Sequence, residues 1–65
     1  MTLGEKIAEK RRVRGMTQEE VAEKLGVTSQ AVSKWENNNS LPDITLLPAI
    51  ADLFETPIDA LMSRE

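Results

Sequence analysis

Apolar residues recur along this chain at spacings of three and four, which is the period of an α-helix with one buried face. The first such stretch predicts a helix over residues 3–14. Gly15 follows it in the position where a left-handed residue commonly ends a helix. The residues expected to face inward are Leu3, Ile7 and Ala8.

A second, shorter helix follows a strong capping signal. Thr17 and Glu20 have the spacing of a capping box, in which each side chain bonds the backbone N–H of the other residue. The helix is expected to end at Gly26, after burying Val21, Ala22 and Leu25. Val27 then fills the corner between this helix and the next.

The third helix is predicted over residues 29–37, with Thr28 as its cap. Placing its residues at intervals of about 100° separates two faces. The apolar face holds Ala31, Val32 and Trp35. The opposite face holds Ser29, Gln30, Ser33, Lys34 and Asn37. One face is therefore expected to pack while the other stays available, and Trp35 belongs to the core.

Two more helices complete the pattern after an asparagine-rich loop. Thr45 is the expected cap of helix four, because Pro48 then lies in the first turn, where its missing N–H needs no partner. The buried stripe of this helix is Leu46, Leu47, Ile50, Ala51 and Phe54. Pro57 opens a short fifth helix, in which Ile58, Leu61 and Met62 are expected to face inward. The pattern predicts an all-α fold of five helices and one domain over residues 1–65.

The composition narrows the possible chemistry. The 65 residues include no Cys and no His, which removes the usual zinc ligands, thiol nucleophiles and imidazole bases. We therefore expect no metal, no cofactor and no enzyme activity. No segment approaches the roughly 20 apolar residues of a membrane span, so a cytoplasmic protein is expected.

Charge is distributed unevenly about a net value of −3. Residues 1–34 carry seven bases and five acids, whereas residues 35–65 carry one base and six acids. Four of the bases lie near the C-terminus of helix one: Lys10, Arg11, Arg12 and Arg14. They could stabilise the negative end of the helix dipole or attract phosphate. One end of the molecule is thus suited to face an anion.

A motif with fixed spacings covers nearly the whole chain. It runs Gly15-x-Thr17-Gln18-x-x-Val21-Ala22-x-x-Leu25-Gly26-Val27-Thr28, then Gln30-x-Val32-Ser33-x-Trp35-Glu36, then Leu41-Pro42-Asp43, with Leu46-Leu47 and Ile50-Ala51. This motif resembles the helix-turn-helix domains of phage repressors and Cro, the lambda-repressor-like family. The resemblance implies a compact five-helix bundle with the helix-turn-helix at helices two and three. It also implies sequence-specific binding of double-stranded DNA by a transcriptional regulator of prokaryotic or phage type.

The resemblance places helix three in the major groove. The candidates for base reading are Ser29, Gln30, Ser33 and Lys34. Gln30 offers a donor and an acceptor that suit adenine, and Lys34 suits the acceptors of guanine. We expect these two to carry specificity. Without the motif, these polar residues would be interpreted as an ordinary solvent-exposed helix face with no role in binding.

Phosphate contacts are expected from polar residues at the helix ends: Thr17, Gln18, Thr28, Asn37 and Asn39. Gln18 begins helix two, where unbonded N–H groups favour a phosphate oxygen, and relatives similarly use this position. Asn38 stands where many relatives have Gly. Residues 37–43 contain no Lys or Arg, so one copy of the protein is expected to make few phosphate contacts. Useful affinity would then require a homodimer reading two half-sites about 34 Å apart.

Arg11 and Glu36 match a pair that in this family commonly forms a salt bridge beneath the reading helix. Its expected role is to orient that helix.

Two other functions remain open. The acidic second half suggests a protein-interaction or antitoxin-like module with little DNA binding of its own. A hydrolase using Glu19, Glu20 or Glu23 is a weaker alternative, because these residues are better explained as solvated charges. No site for a small-molecule ligand is evident.

Overall fold

The computed structural model describes residues 1–63, which form five α-helices and one 3₁₀ turn. The helices are α1 (Leu3–Val13), α2 (Gln18–Leu25), α3 (Ser29–Glu36), α4 (Leu47–Leu53) and α5 (Ile58–Met62), and the 3₁₀ turn covers Ile44–Leu46. No strand occurs within residues 1–63, so the expected all-α class is confirmed. Arg64 and Glu65, which entered the charge balance, lie outside the described residues. Across the described helices, none has the length and apolar character needed to cross a membrane.

The first turns of α2 and α3 are capped as the sequence predicts. The Thr17 hydroxyl oxygen accepts the N–H of Glu20 at 3.0 Å, and the Glu20 carboxylate accepts the N–H of Thr17 at 2.8 Å. Thr28 accepts the N–H of Ala31 at 3.1 Å. Each such cap stabilises its helix by about 1 kcal/mol, because it satisfies backbone donors that have no partner within the helix.

The helix C-termini also follow local signals. Gly26 ends α2 with a φ of 72°, and Gly15 follows α1 with a φ of 66°. Both are left-handed conformations that a side chain would strain. The last helical residues of α1 and α3 come one position earlier than predicted, because Arg14 and Asn37 serve as caps.

Each helix contributes one fully buried side chain to a common core: Ile7, Val21, Val32, Ile50 and Leu61. Burial of a side chain of this size contributes about 1.5–3 kcal/mol. Trp35 and Phe54 pack against this centre and are 4% exposed. The core therefore holds α2 and α3 in a fixed relation to the other helices.

The expected cap of helix four is wrong. Asp43, and not Thr45, caps the segment, because its Oδ1 accepts the Thr45 N–H at 2.9 Å and the Thr45 hydroxyl at 2.8 Å. A 3₁₀ turn forms first, and α4 then begins at Leu47 with Pro48 in its first turn. The Thr45 hydroxyl, which was expected to cap the helix, instead donates to the carboxylate of Asp43.

The prediction for helix five is only partly correct. Leu61 is buried as expected, whereas Ile58 and Met62 are 40% and 54% exposed. Helix α5 has five residues, little more than one turn. A helix this short packs through one side chain, so Ile58 and Met62 are left in solvent.

Candidate nucleic-acid interface

The two faces of α3 have opposite environments. Val32 and Trp35 are buried in the core. Gln30 and Lys34 are exposed one helical turn apart, and Ser29 and Ser33 are half-buried beside them. Residues four apart on a helix lie on one side. The exposed side therefore presents an amide and an ammonium group in a row, flanked by two short hydroxyls.

A cluster formed by Arg11, Gln18 and Glu36 joins three helices near this face. The Nε of Arg11 lies 2.7 Å from Glu36 Oε2, and its Nη2 donates to Glu36 Oε1 at 3.1 Å. The side chains of Arg11 and Glu36 are 14% and 6% exposed. Glu36 Oε1 also accepts the Nε2 of Gln18 at 3.0 Å. We call these three residues the Glu36 cluster.

The charges of the Glu36 cluster stabilise each other. Burial raises the pKa of Glu36, but hydrogen bonds from Arg11 and Gln18 and the attraction of nearby guanidinium groups leave that pKa below its ordinary value of 4.5. The hydrogen bond to Glu36 raises the pKa of Arg11. Both side chains are therefore charged at neutral pH. Arg11 also donates from Nη1 to the carbonyl of Met16 at 2.9 Å, which ties α1 to the segment before α2.

The loop after α3 is built from exposed asparagines. Asn38 has a φ of 63°, a left-handed conformation that Asn tolerates well. Its Oδ1 accepts the Thr2 hydroxyl at 2.8 Å. The N–H of Asn39 donates to the carbonyl of Lys34 at 2.8 Å, and the side chain of Asn37 donates weakly to Ser33 at 3.4 Å. The loop is thus anchored to α3 through its backbone, while Asn37 and Asn39 remain exposed.

Two of the four bases at the end of α1 are engaged with other parts of the protein. Arg11 belongs to the Glu36 cluster. Arg14 donates to the carbonyl of Phe54 at 3.1 Å and lies 3.5 Å from the carboxylate of Glu55. Lys10 is half-buried and Arg12 is exposed. The positive charge offered to solvent here is therefore smaller than the sequence suggests.

An open groove of about 620 Å³ runs along α2. Its lining is Thr17, Glu19, Glu20, Ala22, Glu23, Val27 and Ser29. All three glutamates are exposed, so the groove carries negative charge. Within residues 1–63, no group of three or more acidic side chains is arranged to hold a metal ion.

The helical spacing of α3 predicted its polar face, and the family resemblance predicted the pairing of Arg11 with Glu36. Neither predicted the hydrogen bond between Gln18 and Glu36 or the contact between Thr2 and Asn38. The first joins residues on different helices, and no local pattern signals it. The second joins residues 36 positions apart, and the capping box that Thr2 forms with Glu5 does not signal it.

Two short helices joined at a left-handed glycine, with an indole inside and a polar row outside, define a helix-turn-helix unit. The family model described as Helix-turn-helix matches residues 7–61. The chain therefore belongs to the helix-turn-helix family.

Similar proteins are regulators of transcription. The chain is 38% identical over its full length to the HTH-type transcriptional activator BcrR of Enterococcus faecalis. It is 32% identical over its full length to the HTH-type transcriptional regulator ImmR of Bacillus subtilis. Over 98% of its length it is 33% identical to the cryptic phage CTXphi transcriptional repressor RstR of Vibrio cholerae. The chain spans 32%, 51% and 57% of these three curated relatives, respectively.

A solved structure has nearly the same fold. The P22 c2 repressor protein, crystallised in complex with synthetic operator 9T, matches with a TM-score of 0.91 and 25% sequence identity. The match covers 100% of this chain and 98% of that chain. It confirms the lambda-repressor-like fold. Because the family and these relatives are regulators and not enzymes, the hydrolase alternative is rejected for residues 7–61.

Proposed function

We propose that this chain binds double-stranded DNA in a sequence-specific manner and acts as a transcriptional regulator. The observation that carries the proposal is the separation of the two faces of α3, with Trp35 in the core and Gln30 and Lys34 in solvent. The family, the regulators it resembles and the fold shared with an operator-bound repressor all support it.

Base reading is assigned to the exposed row of α3. The amide of Gln30 can donate and accept at once, which matches the N6 and N7 positions of adenine. Lys34 lies one turn further along the same side and can donate to the O6 and N7 of guanine. Ser29 and Ser33 are short and half-buried, so they would contribute close contact with little discrimination.

Phosphate contact is assigned to residues at the helix ends. The hydroxyl oxygens of Thr17 and Thr28 already accept a backbone N–H, so each hydroxyl has its own proton to donate to a phosphate oxygen. Gln18 stands at the start of α2, where the helix dipole favours an anion. Asn37 and Asn39 present exposed amides beyond the end of α3. These groups would fix the register of α3 without reading sequence.

Two copies are proposed to act together on a palindromic operator. Residues 37–43 contain no Lys or Arg, and Arg11 and Arg14 are engaged in ion pairs. One copy therefore neutralises few phosphates, and affinity for DNA depends steeply on that number. A homodimer would double the contacts. A regulator of this kind works beside bacterial or phage DNA, so its proposed location is the cytoplasm.

Selection from a random duplex library at two salt concentrations tests this function. The proposal predicts enrichment of one palindromic site with half-sites about 34 Å apart, and a complex of two protein copies per duplex by size measurement. A scrambled duplex of equal length is the control. No enrichment, together with a size unchanged by duplex, would favour the protein-interaction alternative.

A further inference from the structure

Glu36 combines three features that are unusual beside a DNA-binding surface. It is an acid, its side chain is only 6% exposed, and it stands at the end of the helix proposed to enter the major groove. A carboxylate so enclosed has no route to a phosphate, which would repel it in any case. Its contribution to binding must therefore act through the residues that it holds.

One of those residues is Gln18, which stands at the other end of the helix-turn-helix. Glu36 Oε1 accepts from both Arg11 Nη2, at 3.1 Å, and Gln18 Nε2, at 3.0 Å. A carboxylate whose pKa is held low can only accept hydrogen bonds. The Gln18 amide must therefore turn its nitrogen toward Glu36, and the opposite orientation would set two acceptor oxygens against each other.

This orientation matters because an amide nitrogen carries two hydrogens. One hydrogen of Gln18 is bonded to Glu36, and the second is available to a phosphate oxygen at the start of α2. If the acceptor were absent, the amide would rotate, and for part of the time it would present its oxygen to the phosphate. Gln18 is half-buried, so it has few other partners that could select the correct orientation.

We propose that Glu36 is a positioning residue for DNA binding, which fixes the Gln18 side-chain amide so that its second N–H faces the phosphate backbone. Arg11 completes the arrangement by neutralising the carboxylate. The inference rests on the proposed function, and it assigns to the Glu36 cluster a role in affinity beyond orientation of α3. Its effect should be uniform across DNA sequences, because phosphate contacts carry no sequence information.

The test compares wild type, Gln18→Met, the double variant Arg11→Met with Glu36→Met, and the triple variant that combines all three. Replacing both partners of a buried ion pair with apolar residues of similar size often leaves stability unchanged, whereas removing one partner strands a charge. The double variant also keeps the net charge of the protein. Affinity is measured on one selected duplex and on one unrelated duplex, far below the melting temperature of each variant.

We expect Gln18→Met to weaken binding to both duplexes by about tenfold, as for loss of one charge-assisted hydrogen bond. The double variant should weaken binding by about twofold or more, because its Gln18 amide presents the N–H to the phosphate for only part of the time. The triple variant should bind like Gln18→Met, because without the Gln18 amide the loss of Glu36 has nothing further to affect. A matched control removes the surface ion pair between Arg14 and Glu55, through Arg14→Gln with Glu55→Gln, and should bind like wild type.

Several results would overturn the inference while the proposed function stands. They are wild-type affinity in the double variant, wild-type affinity in Gln18→Met, or a triple variant that is weaker than Gln18→Met by the full factor lost in the double variant. Failure of wild type to prefer any duplex would instead remove the proposed function itself.

The free protein provides a second readout that does not depend on the stability of variants. The chain has two glutamines, Gln18 and Gln30, so their side-chain amide signals in an NMR spectrum are easily assigned. The amide protons of Gln18 should exchange with solvent more slowly than those of the exposed Gln30. Equal exchange would show that Glu36 does not hold the Gln18 amide in solution, and the inference would be wrong.

Discussion

Gly4 lies directly against the backbone of Trp35, at the point where α1 crosses the end of α3. A β carbon placed on Gly4 would be 1.8 Å from the Trp35 carbonyl oxygen and 2.8 Å from its carbonyl carbon. Real β carbons do not approach other atoms this closely. The close crossing of α1 and α3 therefore requires glycine, and it supports the helix that carries the proposed reading face.

Gly4→Ala should lower the free energy of unfolding by about 2 kcal/mol or more, because backbone atoms must move apart to admit the methyl group. Alanine is more favourable than glycine in a helix by about 1 kcal/mol, and the loss from the clash exceeds this gain. Gly15→Ala is the matched control: its φ of 66° costs about 1–2 kcal/mol, but no atom crowds its β carbon. Thermal melting followed by Trp35 fluorescence measures both, and equal stability of Gly4→Ala and wild type would contradict the contact.

Glu55→Gly should stabilise the protein. Glu55 has a φ of 53° just after α4, a conformation that costs a residue with a β carbon about 1–2 kcal/mol. Its surface ion pair with Arg14 contributes little. The greater entropy of glycine in the unfolded chain offsets part of this gain. Chemical denaturation should therefore show a net increase of about 0.5–1 kcal/mol in the free energy of unfolding.

Asn38→Gly is the comparison for that prediction. Asn38 also has a positive φ, of 63°, but its side chain accepts a hydrogen bond from Thr2. The substitution would lose this bond, so no gain in stability is expected. A gain as large as that of Glu55→Gly would show that the hydrogen bond contributes nothing.

Lys6→Met should loosen α5. The ammonium group of Lys6 is buried, with the residue 7% exposed, and donates to the carbonyl of Ala60 at 2.9 Å and to the carbonyl and hydroxyl of Ser63 at 2.6 and 2.8 Å. A loss of about 1–3 kcal/mol in the free energy of unfolding is expected, because these acceptors lose their charged donor. Hydrogen exchange at the Leu61 amide should accelerate. Lys10→Met, on the same helix, is the control, and equal stability of the two variants would contradict the role of Lys6.

The stability contributed by Glu36 should depend on acid pH. Its pKa is lower in the folded protein than its ordinary value of 4.5. Such a carboxylate stabilises the fold fully above the unfolded-state pKa, and the contribution is lost as the pH falls through the folded-state pKa. The free energy of unfolding should therefore keep this contribution above about pH 5 and lose it progressively at lower pH.

The double variant of Arg11 and Glu36 to Met should show a shallower loss of stability in acid than wild type. Some acid dependence should persist, because hydrogen bonds from Thr45 lower the pKa of Asp43 as well. Identical pH profiles for wild type and the double variant would contradict the lowered pKa of Glu36.

Local sequence signals predicted most of the fold. The caps at Thr17 and Thr28 and the end of α2 at Gly26 were predictable because each depends on residues within one helical turn. The cap before α4 was not, because Asp43 and Thr45 stand two residues apart and both are good caps. The choice between them depends on how the chain leaves the preceding loop.

Contacts between distant parts of the chain could not be predicted from periodicity. Lys6 donates hydrogen bonds to Ala60 and Ser63, which stand 54 and 57 positions further along the chain. Nothing near Lys6 in the sequence distinguishes it from a surface lysine. The same holds for Gly4 against Trp35 and for Gln18 against Glu36. For the candidate site, helical spacing identified which side of α3 is exposed, whereas the orientation of the Gln18 amide required the packed structure.

The most direct test of the account measures how Gln30→Ala changes sequence preference. Affinities of wild type and Gln30→Ala are compared on the selected operator, on duplexes with single base changes and on an unrelated duplex. Gln30→Ala should lose about 1–3 kcal/mol of binding free energy on the operator, with discrimination relaxed at one base pair and the unrelated duplex bound as before. If Gln30→Ala binds the operator and its single-base variants with the same preferences as wild type, α3 does not read DNA through this face.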